Sequence, residues 1–172
     1  MEEEQFEILD DKGNAIGLMP RSRVHREGLW HRAVNVFLFR SDGRLIIQRR
    51  QWSKDIWPGA WDLSVAEHLQ PGESYEQGAV RGLLEELGVD GVVLEPLGEV
   101  TRQRLEIADK GVKDYELKQS FRGVFDGVLH PDANEVSEIR TIDPAALVVE
   151  FRERPHDFTP WFRSSACSCD LQ

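Results

Sequence analysis

Residues 72–89 read GESYEQGAVRGLLEELGV, and the rest of the chain is best understood outward from them. Ser74 with Gln77 three residues later has the form of a capping box, in which each side chain satisfies a free backbone N–H at a helix start. Ala79, Val80, Leu83, Leu84 and Leu87 recur at helical spacing, and Gly88 is a natural terminator. The spacing predicts a helix over residues 74–87. Gly78 and Gly82 lie inside it on one face, and each costs about 1 kcal/mol against alanine. Either a neighbour approaches that face closely or the helix carries the cost. Arg81 and Glu85 form an i,i+4 pair, with Arg81 read as a brace. Glu86 points elsewhere around the helix, where it can face a loop cavity. Carboxylates so placed suit Mg²⁺, which takes oxygen ligands and shares itself with substrate phosphates. The plainer alternative is a solvated pair of glutamates on a surface helix.

Upstream, residues 1–20 read as a hairpin: Phe6 and Ile8 alternate with polar residues, and Asp11-Lys12-Gly13-Asn14 supplies the turn. AVNVFLF at 33–39 is a strand too continuously apolar to have a wet face, and Ser41-Asp42-Gly43 turns it into RLIIQR at 44–49. A loop with Trp52 and Trp57 follows, then a short strand at 61–65. Downstream, strands are expected at 92–94, 99–105, 117–125 and 139–142. Asp143-Pro144 then opens a second helix reaching about residue 150. Strands, one strong helix, strands and one weaker helix make an α+β chain with a mixed β-sheet between helices. Residues 1–162 are expected to form a single domain and 163–172 a flexible tail.

The chain has 172 residues, enough for one core. Lys and Arg number 21 against 31 Asp and Glu, a formal charge of −10. Such a surface argues against a nucleic acid polymer, whose backbone needs a basic face. A small anionic ligand would have to be held by metal or by a few placed Arg and Lys. No apolar run approaches the roughly 18 residues of a membrane span, and the acidic start Met1–Glu4 resembles neither a secretory nor a transit segment. The two cysteines, Cys167 and Cys169, lie in the last six residues, so a disulfide scaffold is excluded. A cytoplasmic monomer or homodimer is expected. Cys169-Asp170-Leu171-Gln172 formally fits a C-a-a-X lipidation pattern, the one route by which a membrane enters this reading.

The opening stretch resembles the signature of the Nudix family: Gly, five residues, Glu, seven residues, Arg-Glu-aliphatic-any-Glu-Glu-any-Gly-aliphatic. Glu73, Arg81, Leu83, Glu85, Glu86, Gly88 and Val89 match in register. Glu67 stands at the leading Gly, and Gly82 at the Glu after Arg81. The resemblance implies a Nudix-like α/β/α sandwich with a mixed β-sheet. It extends to one branch, the type I isopentenyl-diphosphate isomerases and their hydrolase relatives, through RSRVHREGLWHRAVNVFLF at 21–39, WPGAWDLSVAEH at 57–68 and FTPW at 158–161. It implies metal ligands at His25, His31, His68, Asp114 and Glu116, beside Glu85 and Glu86 of the signature, and a cofactor of the Mg²⁺ or Mn²⁺ kind. His25 and His31 stand one residue closer than in the isomerases. Arg21, Arg49 and Lys54 match positions that bind diphosphate, and Trp161 matches the pocket. The tryptophan-rich loop stacks a nucleobase, lines an isoprenoid tail or fills core.

The isomerases use a Cys beside the signature as one proton-transfer group and an acid from a later strand as the other. Here Ala66 takes the place of the Cys, and Glu116 that of the acid. Loss of a proton shuttle typically removes about 10²–10⁴ in rate. The first expectation is therefore a metal-dependent hydrolase of a diphosphate linkage in a small molecule, a nucleoside diphosphate derivative or an isoprenyl diphosphate. Its catalytic residues would be Glu85, Glu86 and Glu116, with Glu67 or Glu73 supplying the carboxylate absent at Gly82. The alternatives are an isomerase-like enzyme and, because of Gly82, a non-catalytic metal- or diphosphate-binding module.

Overall fold

The computed structural model describes residues 3–168. Two strands, β1 (Gln5–Leu9) and β2 (Ala15–Pro20), pair antiparallel as a separate hairpin, with Gly13 at φ 86° in its turn. A short helix, α1 (Arg21–Glu27), follows and ends at Gly28 in the left-handed region, φ 69°. The main sheet is built on β3 (Trp30–Phe39). On one side β3 pairs in parallel with β8 (Val112–Val124), from Trp30 opposite Tyr115 to Phe39 opposite Val124, and β7 (Glu95–Ile107) pairs antiparallel with β8. On the other side β3 changes partner. Ala33–Val36 pair with β6 (Val65–His68), and Phe39 alone pairs with Leu45 of β4 (Leu45–Arg50). Beyond β4 lie β5 (Trp61–Asp62) and β9 (Val136–Ile142).

Successive strand side chains point to opposite faces, and β3 buries both. Val34, Val36 and Leu38 face α2 (Tyr75–Leu87), packing with Leu83 and Leu87. Phe37 and Phe39 face α3 (Pro144–Glu153) and α4 (Pro160–Ser168), packing with Leu147 and Phe162. This is why AVNVFLF has no polar alternation. Each fully buried side chain of this size is worth about 1.5–3 kcal/mol. The α+β, three-layered sandwich expected from the sequence is the observed architecture. The capping box closes as expected, with Gln77 N donating to Ser74 Oγ and Ser74 N to Gln77 Oε1.

Four expectations need correction. The strand expected at 61–65 breaks at residues 63–64 into β5 and β6, which pair with β4 and β3 respectively. Residues 92–94 form no strand; Val92 and Leu94 pack against the α2-side core from irregular backbone just after Gly91 at φ 70°. Helix α1 was not expected, because RSRVHRE offers little apolar periodicity and no capping side chain. Residues 163–168, expected in a flexible tail, continue α4: Ser165 and Ala166 are buried, and Asn35 Nδ2 donates to Ser165 Oγ at 2.8 Å. Cys167 is exposed, and Cys169 with the lipidation pattern lies outside the described residues. Among the described residues no helix is long and apolar enough to cross a membrane.

Candidate metal centre and active site

Four elements converge at the open end of β3. His25 comes from α1, His31 from β3, His68 from β6 and Asp114 from β8, and one ligand atom of each lies within 4.8 Å of the others. Asp114 Oδ1 is the common point, 3.2 Å from His31 Nε2, 3.6 Å from His25 Nε2 and 3.9 Å from His68 Nε2. Strand register explains the meeting: His31 stands opposite Glu116, and His68 opposite Ala33. His31 Nδ1 is 3.0 Å from the Leu29 carbonyl. That contact makes Nδ1 the donor and leaves the Nε2 lone pair facing the cluster, as metal-binding imidazoles are usually held.

His25 Nε2, His31 Nε2 and Asp114 Oδ1 are buried without hydrogen-bond partners. A buried polar atom left unmade costs about 1–3 kcal/mol, and a divalent cation between them would satisfy all three. Burial, with the neighbouring imidazoles, lowers the His25 pKa to about 4 against the pull of Asp114, so the ring is neutral, as a ligand must be. Burial opposes charge on His68 too, but without an ion the carboxylates of Asp114 and Glu116 hold its proton up to about 10, a proton that a bound cation would displace. Glu116 sits at the edge of the cluster, its Oε1 3.3 Å from His68 Nε2 and its Oε2 3.7 Å from Lys118 Nζ. The residues present fit a metal ion, and mixed imidazole and carboxylate donors suit Mn²⁺ or Zn²⁺.

Beside this cluster, where β4 and β6 part from each other along β3, lies a cavity of about 160 Å³. Gln48, Ala66, Glu67 and Glu86 line it, as do Arg21, Lys54 and Trp161. Gln48 Nε2 donates to Glu86 Oε2 at 2.6 Å. Burial pushes the Glu86 carboxyl up to about 8, and the charges of Glu67, Asp62 and Glu135 add to this. Burial raises Glu67 as well, against the nearby Arg81 guanidinium. A Cβ at Gly82 would lie 2.7 Å from Val65 Cγ1 and 3.4 Å from Glu67 Cβ. The close-approach alternative is therefore the right one for Gly82: α2 rests directly on β6, and the Glu67 side chain fills the ground beside it.

The remaining charged side chains divide between the cavity and the surface. The Glu85 side chain is 54% exposed, pairs with Arg81 at 3.1 Å and is absent from the cavity wall. Arg81 braces the helix start, donating to Glu73 at 2.8 and 3.0 Å and to the His68 carbonyl at 2.9 Å. Lys54 pairs with Glu135 at the cavity. Arg49 turns away: its Nε donates to the Gly59 carbonyl at 2.8 Å, and its guanidinium lies 4.9 Å from the Trp52 ring centroid. Its neighbour Arg50 lines the cavity instead, over Trp161 at 5.2 Å and 3.5 Å from Asp62 Oδ2. Asp62, which sequence reasoning missed, is buried at the cavity wall and accepts hydrogen bonds from Trp161 Nε1 at 2.9 Å and Thr159 Oγ1 at 3.0 Å. The missed signal for Arg50 and Gln48 was alternation: Ile46, Gln48 and Arg50 share one face of β4.

The sequence profile of the NUDIX domain family matches residues 29–162. An isopentenyl-diphosphate Delta-isomerase of Nocardia farcinica is 36% identical over 156 residues, 90% of this chain and 88% of that protein. An enzyme of the same name from Burkholderia multivorans is 35% identical over 161 residues, 93% of this chain and 89% of that protein. Among solved structures, DR0079 from Deinococcus radiodurans superposes with a TM-score of 0.79 at 23% identity, over 96% of this chain and 99% of that one. At that identity the likeness speaks for the fold alone. The matched span runs from the residue before β3 to the first turn of α4 and takes in α2, the cavity wall apart from Arg21 and His25, and every ligand of the candidate centre except His25. With that span covered, the chain belongs to the NUDIX domain family.

Proposed function

We propose that the protein is a metal-dependent hydrolase of a diphosphate linkage in a small molecule. The observation that carries this reading is Ala66: β6 presents a methyl group to the cavity where isomerisation would need a proton-transfer group. Hydrolysis needs none there. Water forms a bond to phosphorus, the bridging P–O bond breaks, and a carboxylate takes the proton released. A divalent cation supplies Lewis-acid charge at the phosphoryl oxygens and lowers the pKa of bound water. His25, His31, His68 and Asp114, with Glu116 alongside, would hold one such ion. Glu86 and Glu67 offer oxygen donors of the kind Mg²⁺ prefers. The signature has Gly at position 67 and Glu at 82, and this chain has the two exchanged. Because those positions touch, Glu67 delivers from β6 a carboxylate the helix does not carry. Arg21, Arg50 and Lys54 neutralise the diphosphate, and Trp161, held by Asp62, faces the organic group.

A second reading, isomerisation of an isoprenyl diphosphate, is favoured by one observation, the complete His25, His31, His68, Asp114 and Glu116 set. The two part on products. The protein is to be incubated with isopentenyl diphosphate and with nucleoside diphosphate derivatives, in Mg²⁺ or Mn²⁺, and followed by phosphorus and proton NMR. Phosphate-bearing cleavage products from any of them uphold hydrolysis. The allylic isomer without cleavage replaces it with isomerisation, and binding without turnover replaces it with a binding module.

The same cavity makes a contrast between neighbours. Arg50→Gln is expected to weaken inorganic diphosphate binding about tenfold or more, since a hydrogen bond to a charged group is worth about 1.5–3 kcal/mol. Arg49→Gln is expected to stay within about twofold of wild type, as surface changes do. Calorimetric titration of both variants checks the assignment.

A further inference from the structure

We propose that Phe6 is a positioning residue for the three-histidine centre: one ring is the apolar wall that orients all three imidazoles and controls how long a divalent cation stays. The proposal rests on reading His25, His31, His68 and Asp114 as a metal centre. Its own ground is aromatic geometry. The Phe6 centroid lies 4.7 Å from that of His68, 5.2 Å from His31 and 5.8 Å from His25. The His31 ring stacks on it at 14° between planes, while the other two are tilted at 41° and 59°. Phe6 is 1% exposed although it sits on a two-stranded hairpin outside the main sheet.

An imidazole ligand is useful only if its ring is held at the right rotation. The Leu29 carbonyl sets His31, and packing against a shared aromatic face turns His25 and His68 toward the same point. The wall also keeps water from the ligand atoms on that side, and the apolar shell of a metal site governs solvent access and local dielectric. The hairpin is tied down to do this. Arg21 N donates to the Glu4 carbonyl at 2.9 Å, Ser22 N donates to Glu3 Oε1 at 2.6 Å, and Arg32 pairs with Glu7. The Arg21 guanidinium lies 5.8 Å from the Phe6 centroid, so the same ring joins the centre to a cation of the cavity wall.

The test uses the full chain loaded with Co²⁺, whose visible bands report ligand geometry. Release into excess EDTA is timed for wild type, Phe6→Leu and Phe6→Ala, with His31→Ala as the variant that does not load. Thermal unfolding in EDTA shows separately whether the metal-free fold is intact. Release is expected to be at least about tenfold faster in Phe6→Ala and about threefold faster in Phe6→Leu, the scale on which groups outside the ligand set tune metal sites. The Co²⁺ bands should shift in both. A purely structural Phe6 would lower the metal-free midpoint and leave bands and release unchanged, which overturns the proposal. Should Phe6→Ala not fold, the leucine variant decides by the same criteria. A wild-type chain that takes up no Co²⁺ overturns the metal reading itself, and this proposal with it.

Discussion

Glu86→Gln is expected to lower turnover by about 10²–10⁴, the usual cost of losing a proton-transfer group, while making the metal-free protein more stable at pH 8 than the wild type. Both effects come from burying a carboxyl in a cavity. Burial and the nearby Glu67 and Asp62 hold the Glu86 proton up to about 8, above the ordinary 4.5. Between those pH values the unfolded chain gives up the proton and the folded chain keeps it, so raising the pH favours unfolding. Glutamine fills the same space, can accept the same hydrogen bond from Gln48 and has no charge to bury. Its thermal midpoint should therefore fall less than that of the wild type between pH 5 and pH 8. Turnover is to be measured with saturating Mg²⁺, and midpoints in EDTA at both pH values. Wild-type turnover together with wild-type Mg²⁺ affinity would sink the hydrolase reading. The two expected results together would mark stability given up for function at one side chain.

Asp114→Ala should remove the metal dependence of stability altogether. Asp114 Oδ1 is the atom on which all three imidazoles converge. Without it the affinity is expected to fall by more than about 100-fold, the upper range for losing an outer-shell partner. An ion present at about 100 times its dissociation constant stabilises the folded state by about 2.7 kcal/mol. For a chain of this size, about 2–4 °C of midpoint corresponds to each kcal/mol. The wild type should therefore gain roughly 5–10 °C on adding Mn²⁺ or Zn²⁺, and the variant almost nothing. An equal gain in both proteins would place the ion elsewhere.

The parts of the fold that could be read from sequence were those whose signals are local. Ser74 and Gln77 announce the start of α2 within four residues, and the run in β3 is apolar on both faces because two layers of helices cover it. Helix α4 escaped because its serines and cysteine hid the apolar positions Phe162 and Ala166, and because its polar anchor, Asn35, lies far away in the chain. The metal cluster has no local pattern at all. His25, His31, His68 and Asp114 come from four elements, and only the family resemblance gathered them. Resemblance alone does not say which way a side chain points. Glu85 is turned by the helix toward Arg81 and solvent, and Arg49 points away from the cavity, which strand alternation gives to Arg50. The sequence left Glu67 and Glu73 open as stand-ins for the carboxylate absent at Gly82, and only their places in the fold show that Glu67 packs beside position 82.

The parallel pairing of β3 with β8 also bears on kinetics. His31 and Glu116 stand opposite each other in that ladder, yet β4, β5, β6, α2 and β7 all intervene in the chain. Contacts between such distant segments form slowly, because the loop must close before the ladder rewards it. Helix α2 can appear early from local signals, but a chain at that stage holds none of the ligands together. The candidate centre is thus assembled by the slowest kind of contact in this topology, and ion uptake during refolding would mark the completion of the sheet.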